Sequence, residues 1–362
     1  MMRTGHADSA WFSASFLSQV SASRVDAIIA SLTTALGAYQ SAEITPTKIT
    51  LHFAKGTDDM LIHFDADYKI DQLFFKPPVM TTSSIDDSLR ALAQTPGKVS
   101  YVIIEEGRSE RAALDASAPL AIGSAFKLAV LNALSDQIRD GSRRWSDVVP
   151  LRSAWKSLPT GVLRTWPDIT PLTLATYAAE MISISDNTAA DALVRLVGPN
   201  ALRPYEIRND PFLTTREMFV LKSSEGTDLH SAYLRAATPK ARAAVLARVD
   251  AMPLPTLEQL NTSPDPAVEW HYSVRELCSL MRRVSDLPLM SINPGIPNPS
   301  DFRHVAYKGG SDVGIINMTT MVTTKRGTTV CFSATLNNEK QAVDEMAFET
   351  AYEDVVRHIA AY

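Results

Sequence analysis

The chain has 362 residues, 45% of them hydrophobic and 21% charged, and a net charge of −5. That balance describes an ordinary globular protein, long enough for two domains with a core each. With no basic run and no interleaved aromatic–arginine stretch, nucleic acid is excluded as the expected partner, and no apolar stretch approaches the roughly 18 residues that a membrane-spanning helix needs.

The opening Met1-Met2-Arg3-Thr4-Gly5-His6-Ala7-Asp8 lacks the positive segment and apolar run of a secretory signal. The expected location is therefore the cytoplasm, or the periplasm or exterior if a signal has been removed. Residues 10–39 read as helix, because Phe16, Leu17, Val20, Val25, Ile28, Ile29, Leu32 and Leu36 recur at three- and four-residue spacing before Gly37. After Pro46 the period becomes two: Ile49, Leu51 and Phe53 alternate with polar residues, Lys55 to Asp59 reads as a hairpin turn, and strands follow over 61–64 and 70–75. Pro77 to Ser84 reads as a linker. The expected organisation is a small α+β domain over 1–78 and a larger domain over 79–362.

The second part begins with a helix over 85–94 and a strand over 99–105. Leu128, Val130, Leu131 and Leu134 give the next helix an apolar face, and two amphipathic helices follow over 172–181 and 188–197, the latter stopped by Gly198-Pro199. Strands over 305–308, 314–322 and 328–334 precede a closing helix over 343–360. Helices against an antiparallel sheet built from both ends of the chain make the fold class α+β. Cys278 and Cys331 both sit in apolar contexts and read as buried free thiols. The seven histidines are scattered without metal-ligand spacing, so neither a metal nor another cofactor is implied.

The chemistry concentrates in three short segments. Ser124-Ala125-Phe126-Lys127 places a hydroxyl and an amine one helical turn apart on one face. A serine hydroxyl is a weak nucleophile until a neighbouring base takes its proton, and a lysine can serve once burial and nearby positive charge lower its pKa. Ser185-Asp186-Asn187 and Lys308-Gly309-Gly310-Ser311 follow in that order.

Together these segments resemble the S-x-x-K, S-D-N and K-T-G signatures of the penicillin-binding protein and class A β-lactamase superfamily, over about residues 80–362. The resemblance implies a β-lactamase-like catalytic domain in which Ser124 attacks a carbonyl to form an acyl-enzyme and Lys127 accepts or relays its proton. Ser185 would pass a proton to the leaving group, Asn187 would hold the substrate amide, and Lys308 would supply positive charge. Gly309, Gly310 and Ser311 would border the substrate, the backbone N–H groups of Ser311 and Ser124 forming the oxyanion hole. Asp186 reads as structural.

Two departures qualify what the resemblance implies. Gly309 stands where the family usually has a Thr or Ser, which removes a hydroxyl that commonly meets the substrate carboxylate. The stretch where class A enzymes carry the Glu that activates the deacylating water is Val220-Leu221-Lys222 here. Glu217 is the nearest acid and hence the candidate deacylation base, while Glu258 in Leu257-Glu258-Gln259-Leu260-Asn261 is out of register and reads as a decoy. Domain order and the missing Glu also resemble the β-lactamase-like proteins of clavulanic-acid gene clusters, which implies ester hydrolysis and feeble cephalosporin turnover. The expected activity is a serine hydrolase acting on small-molecule β-lactam or ester carbonyls and slow to deacylate β-lactams. The alternatives are an efficient class A β-lactamase, a D,D-peptidase and a silent binding protein.

Overall fold

The computed structural model describes every residue except 46, 47, 77, 81–83, 109 and 207. The chain divides into two compact units, Met1–Pro96 with Asp344–Tyr362, and Gly97–Val343.

In the first unit the apolar periodicity before Gly37 forms two helices, Ala14–Leu17 and Ala22–Leu36. The continuous helix expected over 10–39 is interrupted because Ser13 and Ser21 each turn the backbone extended and cap the helix beyond, Ser13 accepting from Phe16 N and Ser21 from Arg24 N. Strands Tyr39–Ile44, Ile49–Phe53, Gly56–Phe64 and Ile70–Phe75 pair antiparallel in chain order, with Val79–Met80 also pairing Gly56–Phe64. Tyr39–Ile44 escapes sequence reading because nearly all its side chains are exposed, so no alternation marks it. The hairpin turn is tighter than the expected 55–59, since Phe53 already faces Gly56.

The boundary expected at 78/79 is corrected by the packing. Helix Ile85–Ala93 packs on the closing helix Glu345–Ile359, which also packs on Ala22–Leu36. Ser88 Oγ donates to Asp354 Oδ2 at 2.7 Å, and Ser31 Oγ to Asp344 Oδ1 at 2.7 Å. An amphipathic helix shows in sequence that it has a buried face but not which partner buries it, so the closing helix could not be assigned to the N-terminal unit beforehand. Of the expected linker, Pro77 and residues 81–83 lie outside the described residues.

The second unit is built on an antiparallel sheet in the order Phe302–Asp312, Ile315–Thr324, Thr329–Asn337, Lys98–Glu105, Glu110–Leu114. Its helical part holds Lys127–Arg139, Leu174–Ser183 and Asn187–Val197, followed among the described residues by five helices between Pro199 and Val284. Leu128, Leu131 and Leu134 are fully buried, and each such side chain contributes about 1.5–3 kcal/mol. The helix that begins at Lys127 is thus fixed at its base by the core, and the first turn that carries Ser124 and Lys127 is fixed with it. Gly198-Pro199 ends one helix as expected and opens the next, Pro199–Glu206, since proline fits a first helical turn. Among the described residues no helix is long and apolar enough to cross a membrane.

The cysteine expectation is also corrected. Helix Val274–Val284 lies on strand Thr329–Asn337, bringing the Cα atoms of Cys278 and Cys331 to 5.8 Å, and the two form a disulfide. Apolar surroundings describe a free thiol and a buried disulfide equally well; only the register of helix on strand separates them. Thiol titration of denatured, unreduced protein is therefore expected to find no free thiol, and Cys331→Ser to lower unfolding stability by about 2–4 kcal/mol.

Candidate active site

Three chain segments meet around the Lys127 amine. Ser124 lies in the 3₁₀ turn Gly123–Phe126 that leads directly into helix Lys127–Arg139. Lys127 is completely buried, its Nζ 3.1 Å from Ser124 Oγ, 2.9 Å from Ser185 Oγ, 2.5 Å from Ser185 O and 2.7 Å from Asn187 Oδ1. The Asn187 amide is oriented unambiguously, because its Nδ2 donates to Leu158 O at 3.2 Å. Burial first, and then the charge of Lys308, push the Lys127 pKa well below its ordinary 10.5, against the opposing pull of Asp191 and Asp186.

These contacts fix what a neutral Lys127 does with its protons. A neutral amine has two N–H donors and one lone pair. Ser185 O and Asn187 Oδ1 only accept, so they take both donors. The lone pair is left for a hydroxyl, and those of Ser124 and Ser185 are the two within reach. That is the arrangement a base needs to take a proton from Ser124 and return one through Ser185.

Ser185 and its neighbours are held by a strained turn. Ser185 has φ 58°, a left-handed backbone uncommon outside glycine. Asp186 is fully buried and structural: its Oδ1 caps helix Asn187–Val197 through Ala189 N at 2.8 Å, and its Oδ2 accepts from Val162 N at 2.6 Å and Leu163 N at 2.8 Å. Gly161, with φ +100°, lets that loop close over the carboxylate, since a Cβ there would stand 2.2 Å from Asp186.

The strand Phe302–Asp312 supplies the third wall. Lys308 is buried, and its Nζ donates to Ser185 Oγ at 3.0 Å and to the Gly309 carbonyl. Burial lowers its pKa to about 7. Gly310 is required by close approach: a Cβ would lie 2.3 Å from Ile122 O and 2.4 Å from Ser124 N. Gly123, with φ +50°, faces it, a Cβ there meeting Ser311 N at 2.9 Å. The backbone N–H groups of Ser124 and Ser311 are thereby carried on two segments in direct contact. Gly309 has a separate reason, because the Tyr307 hydroxyl fills the space of its side chain, 2.3 Å from a Cβ. A Thr at this position would require that ring to move.

Glu217 does not occupy the position expected of a deacylation base. It closes a capping box at the start of helix Thr215–Leu221, where its Oε2 accepts from Thr214 N at 2.6 Å and Thr214 Oγ1 at 2.8 Å, and its Oε1 pairs with Arg195 at 3.2 Å. Oε2 thus serves the helix start and Oε1 the pair with Arg195, and Glu217 is not among the residues lining the cavity of about 180 Å³ that Ser124 opens into. Glu258 sits in an exposed 3₁₀ turn.

The cavity brings in residues that sequence reasoning missed. Thr160, Thr215, Met218, Phe219, Glu269 and Asp312 line it beside Ser124, Asn187 and Ser311. Thr215 is fastened by Asp191, which accepts from its N at 2.7 Å and its Oγ1 at 2.9 Å. Glu269 and Asp312 both bond Lys222, at 2.5 and 2.6 Å. Their separation in the sequence is long and no local pattern links them, so no signal was available to find them.

The model of the β-lactamase enzyme family matches residues 82–360, and the chain belongs to that family. No curated relative matches its sequence. Among solved structures the chain is similar to a β-lactamase from Sphaerobacter thermophilus, at 20% identity with 76% of this chain and 95% of that one covered and a TM-score of 0.53. It is also similar to an ancestral class A β-lactamase, at 15% identity over 76% and 98% with a TM-score of 0.53, and to a variant of PBP-A in its acyl-enzyme complex with penicillin G, at 14% identity over 76% and 94% with a TM-score of 0.50. The fold is that of the class A β-lactamases and PBP-A.

A buried lysine whose folded pKa is near 7 opposes folding. The unfolded chain binds its proton up to about pH 10.5 and the folded chain releases it above about 7, so the penalty is complete below pH 7 and vanishes as the pH rises to 10.5. Lys308→Met is expected to raise the melting temperature at pH 7 while removing activity, and thermal melts should show the gain shrinking towards pH 10.5. A gain independent of pH would show that Lys308 carries no such penalty.

Proposed function

We propose that the chain is a serine hydrolase that opens β-lactam or ester carbonyls through an acyl-enzyme on Ser124 and releases β-lactam products slowly. The observation that supports it most is the Lys127 amine, whose two donors are engaged by carbonyl oxygens while its lone pair is left for Ser124 or Ser185. Ser124 attacks the carbonyl carbon, Lys127 takes its proton, and the Ser185 hydroxyl, which bridges Lys127 and Lys308, carries a proton to the departing nitrogen or oxygen. The Asn187 side chain, already committed to Lys127 and Leu158, holds the base in place as much as it meets the substrate. Lys308 and Ser311 offer the substrate a cation and an N–H without the hydroxyl that a Thr at 309 would add.

Slow release is supported by the place of Glu217. A carboxylate held by its own helix cap and by Arg195 is not free to hold a water against the acyl group, and loss of a positioned general base commonly costs about 10²–10⁴-fold. That favours this reading over an efficient class A β-lactamase. A D,D-peptidase would use the same three segments. The paired cysteines favour an oxidising compartment, so the periplasm or exterior is the better reading of location. A silent binding protein has no use for the base arrangement around Lys127.

Stopped-flow hydrolysis of nitrocefin is expected to give a burst near one equivalent and then a slow steady rate, with p-nitrophenyl esters turned over faster at steady state. Ser124→Ala should abolish labelling by a fluorescent penicillin, and Glu217→Gln should leave the steady rate nearly unchanged. Rapid penicillin turnover without a burst, lost in Glu217→Gln, would favour a working class A β-lactamase instead.

A further inference from the structure

The cavity that Ser124 opens into lies to one side of the nucleophile. Ser185 and Lys308, bonded to each other at 3.0 Å, are not among the residues that line it, and Ser185 is the residue that serves the leaving group in the reading above. Any charge that Lys308 offers is therefore met on the leaving-group side. The cavity receives the acyl group, the part of the substrate that stays on Ser124.

The walls limit that group in size and polarity. Helix Thr215–Leu221 contributes Thr215, Met218 and Phe219, which share one helix face at three- and four-residue spacing, and Phe126 and Trp270 add a buried stacked pair with centroids 3.7 Å apart. The polar side chains between them are engaged inside the protein. Thr215 Oγ1 donates to Asp191 Oδ1 at 2.9 Å, Thr160 Oγ1 donates to Ser185 O at 2.6 Å, and Asn187 holds Lys127 and Leu158. A cavity of about 150 Å³ takes a benzene ring, so one of about 180 Å³ takes an apolar group of about six carbon atoms.

The charge on the lining is acidic. Among the described residues its ionisable side chains are Glu269 and Asp312, both bonded to Lys222, at 2.5 and 2.6 Å. The Glu269 side chain is sealed at 1% exposure, whereas that of Asp312 is 26% exposed, and Asp312 follows Ser311 directly along the strand. Burial alone would raise the Asp312 carboxyl, but Lys222 outweighs it and holds the group below the usual range, so it is charged at neutral pH. With two carboxyls to balance, Lys222 has no charge to spare for a third.

We propose that the substrate is an uncharged ester with a short apolar acyl group of about six carbon atoms, Met218 and Phe219 setting its length and Asp312 excluding acyl groups that end in a carboxylate. This rests on the hydrolase reading above and narrows it. A ring-opened β-lactam stays on the serine as a larger acyl group that carries a carboxylate, so β-lactams are the poorer class and esters the better one.

The test compares kcat/KM for p-nitrophenyl esters with the full chain at pH 7.5. Hexanoate is expected to exceed both acetate and decanoate by about tenfold. The 5-carbamoylpentanoate ester should exceed the 5-carboxypentanoate ester, which has the same shape and a negative charge, by about tenfold or more. Asp312→Asn should close most of that second ratio, and Phe219→Ala should raise decanoate relative to hexanoate by about tenfold. Decanoate hydrolysed as fast as hexanoate by the wild type, or the charged ester handled as well as its amide, would overturn this inference and leave the hydrolase reading standing. An unmoved ratio in folded Asp312→Asn or Phe219→Ala protein would do the same. If no ester were hydrolysed in a way that Ser124→Ala abolishes, the hydrolase reading would fall and this inference with it.

Discussion

Removing the Lys127 amine from water is the constraint on which the candidate site depends. A charged lysine at full burial without a carboxylate in contact is costly, which pushes the amine's pKa well below its ordinary 10.5 and favours the neutral form, and a neutral amine beside a serine can serve as a base. The rest of the arrangement serves that state. Leu128, Leu131 and Leu134 anchor the helix that begins at Lys127; the left-handed Ser185 turns both a carbonyl and a hydroxyl towards it; Asn187 gives it the second acceptor. Asp186 does not touch the amine. It gathers the caps and loop N–H groups that keep Ser185 and Asn187 where they are.

The same site stores instability. Lys308 is buried with no carboxylate to balance it among the described residues, a left-handed non-glycine residue is held in a tight turn, and the glycines at 123 and 310 permit contacts closer than any side chain allows. The buried charge and the left-handed serine each cost stability, and under the proposed hydrolase reading they are preorganisation of charge and donors around a reacting carbonyl. The core beneath and the disulfide between Cys278 and Cys331 offset it from outside the cavity.

Much of this was legible in the sequence because the carriers are local. Ser124 and Lys127 are one helical turn apart, Ser185 and Asn187 share a helix start, and Gly309-Gly310 marks a strand edge under close approach. The three-stranded C-terminal meander and the strand Lys98–Glu105 were readable for the same reason, from short runs of β-branched and apolar residues bounded by turn residues such as Gly314 and Gly327. The features that were not legible are set by long-range register. The disulfide depends on how helix Val274–Val284 lies on its strand, and the closing helix joins the N-terminal unit through a face that could pack on any apolar surface. Glu269, Asp312 and Lys222 come from three distant segments and form a group only in the folded chain. Glu217 was misread because an acid in the right stretch looks the same in sequence whether it faces a cavity or closes its own helix cap.

The central claim, that Lys127 is a neutral amine in the resting protein, is open to direct measurement. A pH titration of the Lys127 side-chain resonances by heteronuclear NMR, assigned by difference against Lys127→Arg, should place its pKa well below the ordinary 10.5 and show a neutral amine at pH 7.5. A Lys127 that titrates near 10.5 and is fully charged at pH 7.5 would contradict the account.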